Sequence, residues 1–215
     1  MTNINSSKRI GLLFITALLV SGCQSISDEE LEVLTTQANK AQALQAEKTK
    51  LLQQNKQLQQ QNSGLETTVS QLNQQLEQEI IAQQVQIEKS KQGGIKVTMQ
   101  EAILFPSGAF KLGKSGRAVL KKIASGLQGL DDKHQLRIVG HSDNVPVSKK
   151  LRGQFVDNWD LSARRAAEVA RYMIWGYGFA PEKISVVGRS HVQPVASNKS
   201  KQGRAANRRI ELFIE

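Results

Sequence analysis

Hydrophobic residues change their spacing along the chain, and each change predicts a different kind of element. An unbroken apolar run from Ile10 to Val20 follows Lys8 and Arg9. Leu44, Leu51, Leu58, Leu65 and Leu72 then recur every seventh position in a stretch without proline, the seam pattern of a long helix. From Ile95 onward, short alternating runs interleave with helical stripes. Ile95 to Met99 alternates, and Ala102 to Phe105 continues apolar up to the Pro106-Ser107-Gly108 turn. Val119, Leu120, Ile123 and Leu127 stripe a helix from about residue 115, and Leu136 to Gly140 reads as a strand. A second helix runs from about Asp160 to Trp175 and stops at Gly176 and Gly178. Ile184 to Val187 and Ile210 to Ile214 complete the strands. The order β-α-β-α-β-β in about 120 residues predicts a small α/β (α+β) sandwich with its helices packed on one sheet.

Between residue 28 and about residue 91 the composition is Gln, Lys, Glu and Leu with a single glycine, Gly64. With the leucines at d, the a positions are Ala41, Lys48, Asn55, Asn62, Val69 and Leu76. The polar Asn55 and Asn62 at a favour a parallel homodimer, with a trimer as the alternative. Beyond Leu76 the seam drifts, and Gln92-Gly93-Gly94 ends the predicted rod. A flexible Gln-rich linker is the competing expectation for this stretch.

The 215 residues are 39% hydrophobic but only 5% aromatic, which argues against one core throughout. The basic pair before a short apolar run has the form of a secretory signal and is too brief for an ordinary membrane span. It ends Leu19-Val20-Ser21-Gly22-Cys23, and Cys23 is the only cysteine. Small residues before a cysteine resemble the bacterial lipobox, which implies cleavage after residue 22 and acylation of Cys23. Several acyl chains anchor stably where one is marginal. Gln24, rather than an aspartate, follows the cysteine, and the resemblance then implies the outer membrane. The expected division is residues 1–22 signal, 23–94 lipidated N-terminus and coiled-coil rod, and 95–215 globular domain.

Charge separates these parts. Residues 93–215 hold 21 Lys and Arg against 10 Asp and Glu, whereas residues 24–92 hold 6 against 9, within a total of +10. A polyanionic partner therefore belongs to the globular domain. The export signal argues against nucleic acid.

The candidate chemistry lies in Gly140-His141-Ser142-Asp143-Asn144, at the end of a predicted strand, and in Asn158-Trp159-Asp160-Leu161-Ser162-Ala163-Arg164-Arg165-Ala166, at the start of a helix. Leu161, Arg165, Val169 and Met173 advance by about 40° each, so Arg165 shares the core-facing stripe. Arg164 falls on the solvated face, where Glu168 is its expected partner. A half-buried guanidinium needs a counter-charge, and an Asp143–Arg165 ion pair closing strand against helix is the purely structural alternative.

Ser142-Asp143-Asn144, then Asn158-x-x-Leu161-Ser162-x-x-Arg165-Ala166, then Gly203-Arg204-Ala205-Ala206-Asn207-Arg208-Arg209-Ile210-Glu211 resemble the OmpA/MotB C-terminal peptidoglycan-binding domain. The likeness covers roughly residues 95 to 215. It implies the family's fold with a mixed sheet, no catalysis, no cofactor and no metal. It also implies recognition of the diaminopimelate of the stem peptide, with Asp143 on its ammonium and Arg165 on its carboxylate. Asn158 would fix the loop or cap the helix, and Ser142 would orient Asp143. The terminal motif's Arg204, Asn207, Arg208 and Arg209 are expected to satisfy loop carbonyls. Many relatives carry Phe-Asp near the first loop, whereas Phe105 here precedes Pro106, so that acidic contact is expected to be absent. Lys149, Lys150 and Arg152 make the loop after Asp143 basic, and Val145-Pro146-Val147 resembles the MotB branch.

The resulting expectation is an outer-membrane lipoprotein, facing the periplasm, that ties membrane to wall. Its rivals are a scaffold or accessory subunit of a motility or secretion complex and a MotB-like stator subunit, the latter opposed by the short, acid-free apolar run. A hydrolase using His141 and Asp143 is opposed by the lack of ligand spacing among His134, His141 and His191.

Overall fold

The computed structural model describes residues 27–90, 93–128, 134–148 and 152–215. The signal segment and Cys23 lie outside the described residues, as do Gln92, Asp131, Asp132, Lys149 and Lys150. Two compact units divide the chain, Met1–Gln57 and Leu58–Glu215. No helix among the described residues is long and apolar enough to cross a membrane.

Helix α1 spans Asp28–Gln75. Ser27 Oγ accepts from the Glu30 N–H at 3.3 Å, while the Glu30 carboxylate accepts from the Ser27 N–H at 3.1 Å, a reciprocal capping box. Asp28, Glu29 and Glu30 add negative charge to the first turn, where the helix dipole favours it. In the first unit the seam residues Leu44 and Leu51 are exposed. In the second unit Leu58 is also exposed, but Leu72 and Leu76 are fully buried, with Leu65 and Val69 packed beside them against the domain core. The final heptads of the predicted rod thus serve the domain itself.

The helix expected to continue to about residue 91 stops at Gln75. A short α2 (Glu77–Ile81) follows, Gln83 turns the chain at φ 56°, and Val85–Lys89 forms strand β1. Tertiary packing overrides helical composition here, because burying Leu72 and Leu76 and pairing β1 with its neighbour outweigh helix propensity. The expected division at residue 94 therefore leaves the sheet's first strand on its N-terminal side.

The sheet continues with β2 (Ile95–Gln100), β3 (Leu136–Gly140), β4 (Ile184–Gly188) and β5 (Arg209–Ile214), in the order β1-β2-β5-β3-β4. Only β3 and β4 are parallel, so the sheet is mixed as expected but has five strands. Gly94, at φ 89°, admits no side chain: a Cβ would stand 2.0 Å from the Ile214 carbonyl oxygen. Residues 102–105, read as an extension of the first strand, instead begin in a one-turn helix α3 (Glu101–Leu104). Helices α4 (Lys114–Leu127) and α5 (Asn158–Tyr177) match the predicted stripes, and α6 (Lys201–Asn207) precedes β5. Val119, Leu120 and Ile123 of α4, with Ala166, Val169 and Met173 of α5, meet Ile95, Val97, Met99, Ile138, Leu212 and Ile214 in one core. Gly178, at φ 72°, ends α5 and donates back to the Ile174 carbonyl.

Leu72→Ala is expected to lower the unfolding free energy of the domain by about 2–5 kcal/mol in urea titrations, as for a core leucine. A loss below about 0.5 kcal/mol, the scale of surface substitutions, would remove the end of α1 from the core.

Candidate functional site

The end of β3 is fitted against the start of α5 by a glycine. A Cβ on Gly140 would lie 2.1 Å from the Ser162 carbonyl oxygen, so only glycine lets helix and strand approach this closely. The next residues are held by backbone bonds, His141 N–H to the Arg209 carbonyl at 2.9 Å and Ser142 N–H to the Ser190 carbonyl at 2.8 Å. Ser190 is buried in the left-handed region at φ 47°, a conformation that costs about 1–3 kcal/mol for a residue with a side chain. Its N–H donates to Ser162 Oγ at 3.1 Å, which ties the strained turn to α5.

Asp143 is 7% exposed, and its carboxylate is held from two sides. Oδ1 accepts from the Val145 N–H at 3.0 Å, the local bond of an Asx turn. Oδ2 accepts from Arg208 Nη1 at 2.6 Å. Ser142 Oγ donates to the Asp143 carbonyl at 3.0 Å. Asn158 Nδ2 donates to the carbonyls of Asp143 and Val145 at 3.2 and 2.9 Å, so it fixes the loop. The cap of α5 is Asp157, whose side chain accepts from the Asp160 N–H at 3.0 Å.

Arg165 lies on the buried face, 4% exposed, and Arg164 outside it. Arg164 pairs with Asp160 at 2.8 Å, one turn before it, rather than with the expected Glu168 one turn after it, which instead pairs with Arg171 at 3.1 Å. Arg165 Nη2 lies 2.7 Å from Glu101 Oε1, and its Nε and Nη2 donate to the Ala109 carbonyl at 3.2 and 2.9 Å. Its Cζ stands 5.3 Å from the Phe105 ring centre. Burial pulls the guanidinium below its ordinary pKa, and Glu101 opposes that shift. Nη1 has no acceptor among the described residues.

Asp143 and Arg165 are therefore not each other's partners. Glu101 Oε2 lies 3.1 Å from Arg208 Nε, which joins the two halves into a row of alternating charge: Asp143, Arg208, Glu101, Arg165. The row sums to zero, each inner member has an opposite charge within ion-pair distance on both sides although Glu101 Oε2 is buried without a hydrogen bond, and its ends are one carboxylate and one guanidinium. Glu101 and Arg208 were not assigned to this site from the sequence. No acidic residue follows Phe105, and the carboxylate beside Arg165 comes instead from Glu101 of α3. Arg208 departs from the carbonyl-binding part expected of its motif, whereas Arg204 keeps it, donating to Asn198 and Lys199 at 2.8 and 3.3 Å. Asn207 likewise satisfies the loop, accepting from the N–H groups of Val195 and Ala196 at 2.8 and 2.9 Å. Three or more metal-ligating side chains do not gather anywhere among the described residues.

Beside the row, on β5, Glu211 accepts from Arg209 at 2.9 Å and stands 3.2 Å from His141 Nε2. Burial alone would raise its pKa, but the hydrogen bonds from His141 and Arg209 and their charges outweigh this and hold it at about 2. A carboxyl lowered on folding stabilises the fold above its unfolded value and loses that contribution as pH falls toward the folded one. Glu211→Gln should therefore flatten the loss of stability between about pH 4.5 and 2, read by urea unfolding at each pH; an unchanged acid limb would contradict the assignment. Glu101→Gln, which removes the anion between two guanidinium groups, is expected to cost about 3–5 kcal/mol at neutral pH in the same assay. A neutral result would show that the row is not a stabilised unit.

The sequence and fold match known proteins in the region that carries this geometry. The OmpA family matches residues 104–208. Motility protein B of Bacillus subtilis is 33% identical over 121 residues, covering 56% of this chain and 45% of that protein. Outer-membrane lipoprotein YfiB of Pseudomonas aeruginosa is 34% identical over 122 residues, covering 56% of this chain and 67% of that protein. Among solved structures, the cell wall anchor of the T6SS from Pseudomonas aeruginosa superposes with a TM-score of 0.57 at 36% identity, over 67% of this chain and 97% of that one. The chain spans about half the length of the curated relatives it matches first. With its three motifs in place on a five-stranded mixed sheet, the chain belongs to the OmpA family.

Proposed function

We propose that the domain binds peptidoglycan non-covalently through the diaminopimelate residue of the stem peptide. The observation that carries this reading is the alternating row and its unlike ends. The side-chain tip of diaminopimelate bears one ammonium and one carboxylate on the same carbon. Asp143 has lone pairs left for the ammonium, and Arg165 offers Nη1 to the carboxylate. A ligand of zero net charge meeting a row of zero net charge leaves no uncompensated charge beside the buried Asp143 and Arg165, which is the expensive outcome. A ligand carrying only one of the two groups leaves either Asp143 or Arg165 desolvated and unanswered.

Family membership supports a wall-binding domain rather than an enzyme, and a relative in fold is itself a cell wall anchor. In the fuller proposal the signal is cleaved after residue 22 and Cys23 is acylated. The chain then faces the periplasm from the outer membrane, and α1 pairs with a second copy through Leu44, Leu51 and Leu58. YfiB is an outer-membrane lipoprotein, which supports that placement. A scaffold in a motility or secretion complex is the second reading, favoured by the likeness to motility protein B and to the T6SS anchor.

Calorimetry of the chain with muropeptides should register saturable binding to a diaminopimelate stem. Asp143→Asn should weaken it by about tenfold or more, the scale of one charge-assisted hydrogen bond. A muropeptide with lysine in place of diaminopimelate, which keeps the ammonium and lacks the carboxylate, should bind comparably weakly. Equal heats from the two muropeptides would refute the pairing of ends with charges.

A further inference from the structure

The helices cover one face of the sheet, and the other face carries a groove of about 390 Å³. Its floor is made by Lys96 of β2, Val139 and Arg137 of β3, and Glu211 and Phe213 of β5. Arg189 and Gln193, from the loop after β4, form the wall at the end farther from β1. That loop is fixed: Arg189 N–H donates to the Gly140 carbonyl at 2.9 Å, and the Gln193 carbonyl accepts from Arg209 Nη2 at 3.3 Å.

Nearly all the charge in this groove is answered from within. Lys96 lies 2.9 Å from Glu88 and 3.4 Å from Glu211, and these carboxylates outweigh burial to raise its pKa. Arg137 pairs with Glu215 at 2.5 Å, and its Cζ lies over Phe213 at 4.2 Å from the ring centre. Glu211 is taken up by Arg209 and His141, and Lys89 at the β1 end pairs with Glu66 at 3.2 Å. Arg189 is the exception: its guanidinium meets no carboxylate among the described residues. The groove thus combines a permanently charged fork on the exposed Arg189 that meets no carboxylate, an exposed amide on Gln193, and a floor whose apolar members are Phe213 and the nearly buried Val139.

We infer that this groove is a second ligand site, which takes the C-terminal carboxylate of a peptide ending in a small apolar residue. Arg189 binds the carboxylate in bidentate fashion, Gln193 meets the peptide amide, and the methyl-sized side chain rests on Phe213 and Val139. A bulky terminal residue would have to displace the Arg137–Phe213 stack. This inference rests on the proposed wall-binding function, because alanine-ended stem peptides are what the wall would offer. Together with the charged row, it would let one domain hold two stems of the same polymer, so that binding at one site raises the local concentration at the other.

The test is a backbone-amide NMR titration of the full chain with N-acetyl-D-alanyl-D-alanine, and with its C-terminal amide as control. Saturable shifts are expected at residues 189–193 and at Phe213 with the acid, and none with the amide. The same shifts should persist in Asp143→Asn, and Arg189→Glu should weaken the apparent affinity by about tenfold or more. Absence of saturable shifts, equal response to acid and amide, or an undiminished response in Arg189→Glu would each overturn the inference. Loss of the response in Asp143→Asn would place the peptide at the first site and overturn it as well. Diaminopimelate added to the same sample separates the two ideas: failure in the groove with intact diaminopimelate binding defeats only the second site.

Discussion

Two arginines and two carboxylates share one cluster, with Asp143, Glu101 and Arg165 largely buried and Arg208 partly exposed, and the order in which they alternate governs the rest of the site. Like charges side by side there would be costly, and a lone charge more so. Placing Arg208 beside Asp143, and Glu101 between Arg208 and Arg165, gives each inner charge an opposite charge on both sides from the protein alone. The same order keeps Asp143 and Arg165 from neutralising one another. A direct ion pair between them would have closed the site; the two inner charges hold it open at both ends.

Four separate elements must meet for this row to exist. Asp143 comes from the end of β3, Arg165 from α5, Glu101 from α3 and Arg208 from the junction of α6 with β5. The backbone bond from Glu101 N–H to the Arg208 carbonyl at 2.9 Å ties two of these together independently of their charges. Gly140 sets the distance between β3 and α5, and the strained turn at Ser190 braces the loop that carries Asp143. The site is thus a property of the end of the central strands β3 and β5, built on rigid elements, and the loop residues only finish it.

Much of this was legible in the sequence where the cause is local. Helical spacing was enough to choose Arg165 over Arg164, because burial follows the stripe of Leu161, Val169 and Met173. Motif spacing brought Asp143, Asn158 and Ser142 to one place. Glu101 and Arg208 stayed hidden because their partners are distant in the chain: Arg208 reaches Asp143 across 65 positions. The family pattern drew attention to the position after Phe105, while the carboxylate that serves Arg165 stands four residues before Phe105. Strand β1 does alternate at Val85 and Ile87, but the signal is short and embedded in helix-forming composition with no glycine or proline to mark the change. Only the partner strand β2 and the core that buries Leu72 and Leu76 decide it.

Side-chain NMR during a titration with free meso-diaminopimelate watches the two ends and the two inner members of the row separately. Saturable shifts are expected in the Asp143 carboxyl carbon and the Arg165 guanidinium nitrogens, with the Glu101 carboxyl and the Arg208 guanidinium moving little. Shifts confined to Glu101 and Arg208, or no shift at either end of the row, would contradict this expectation.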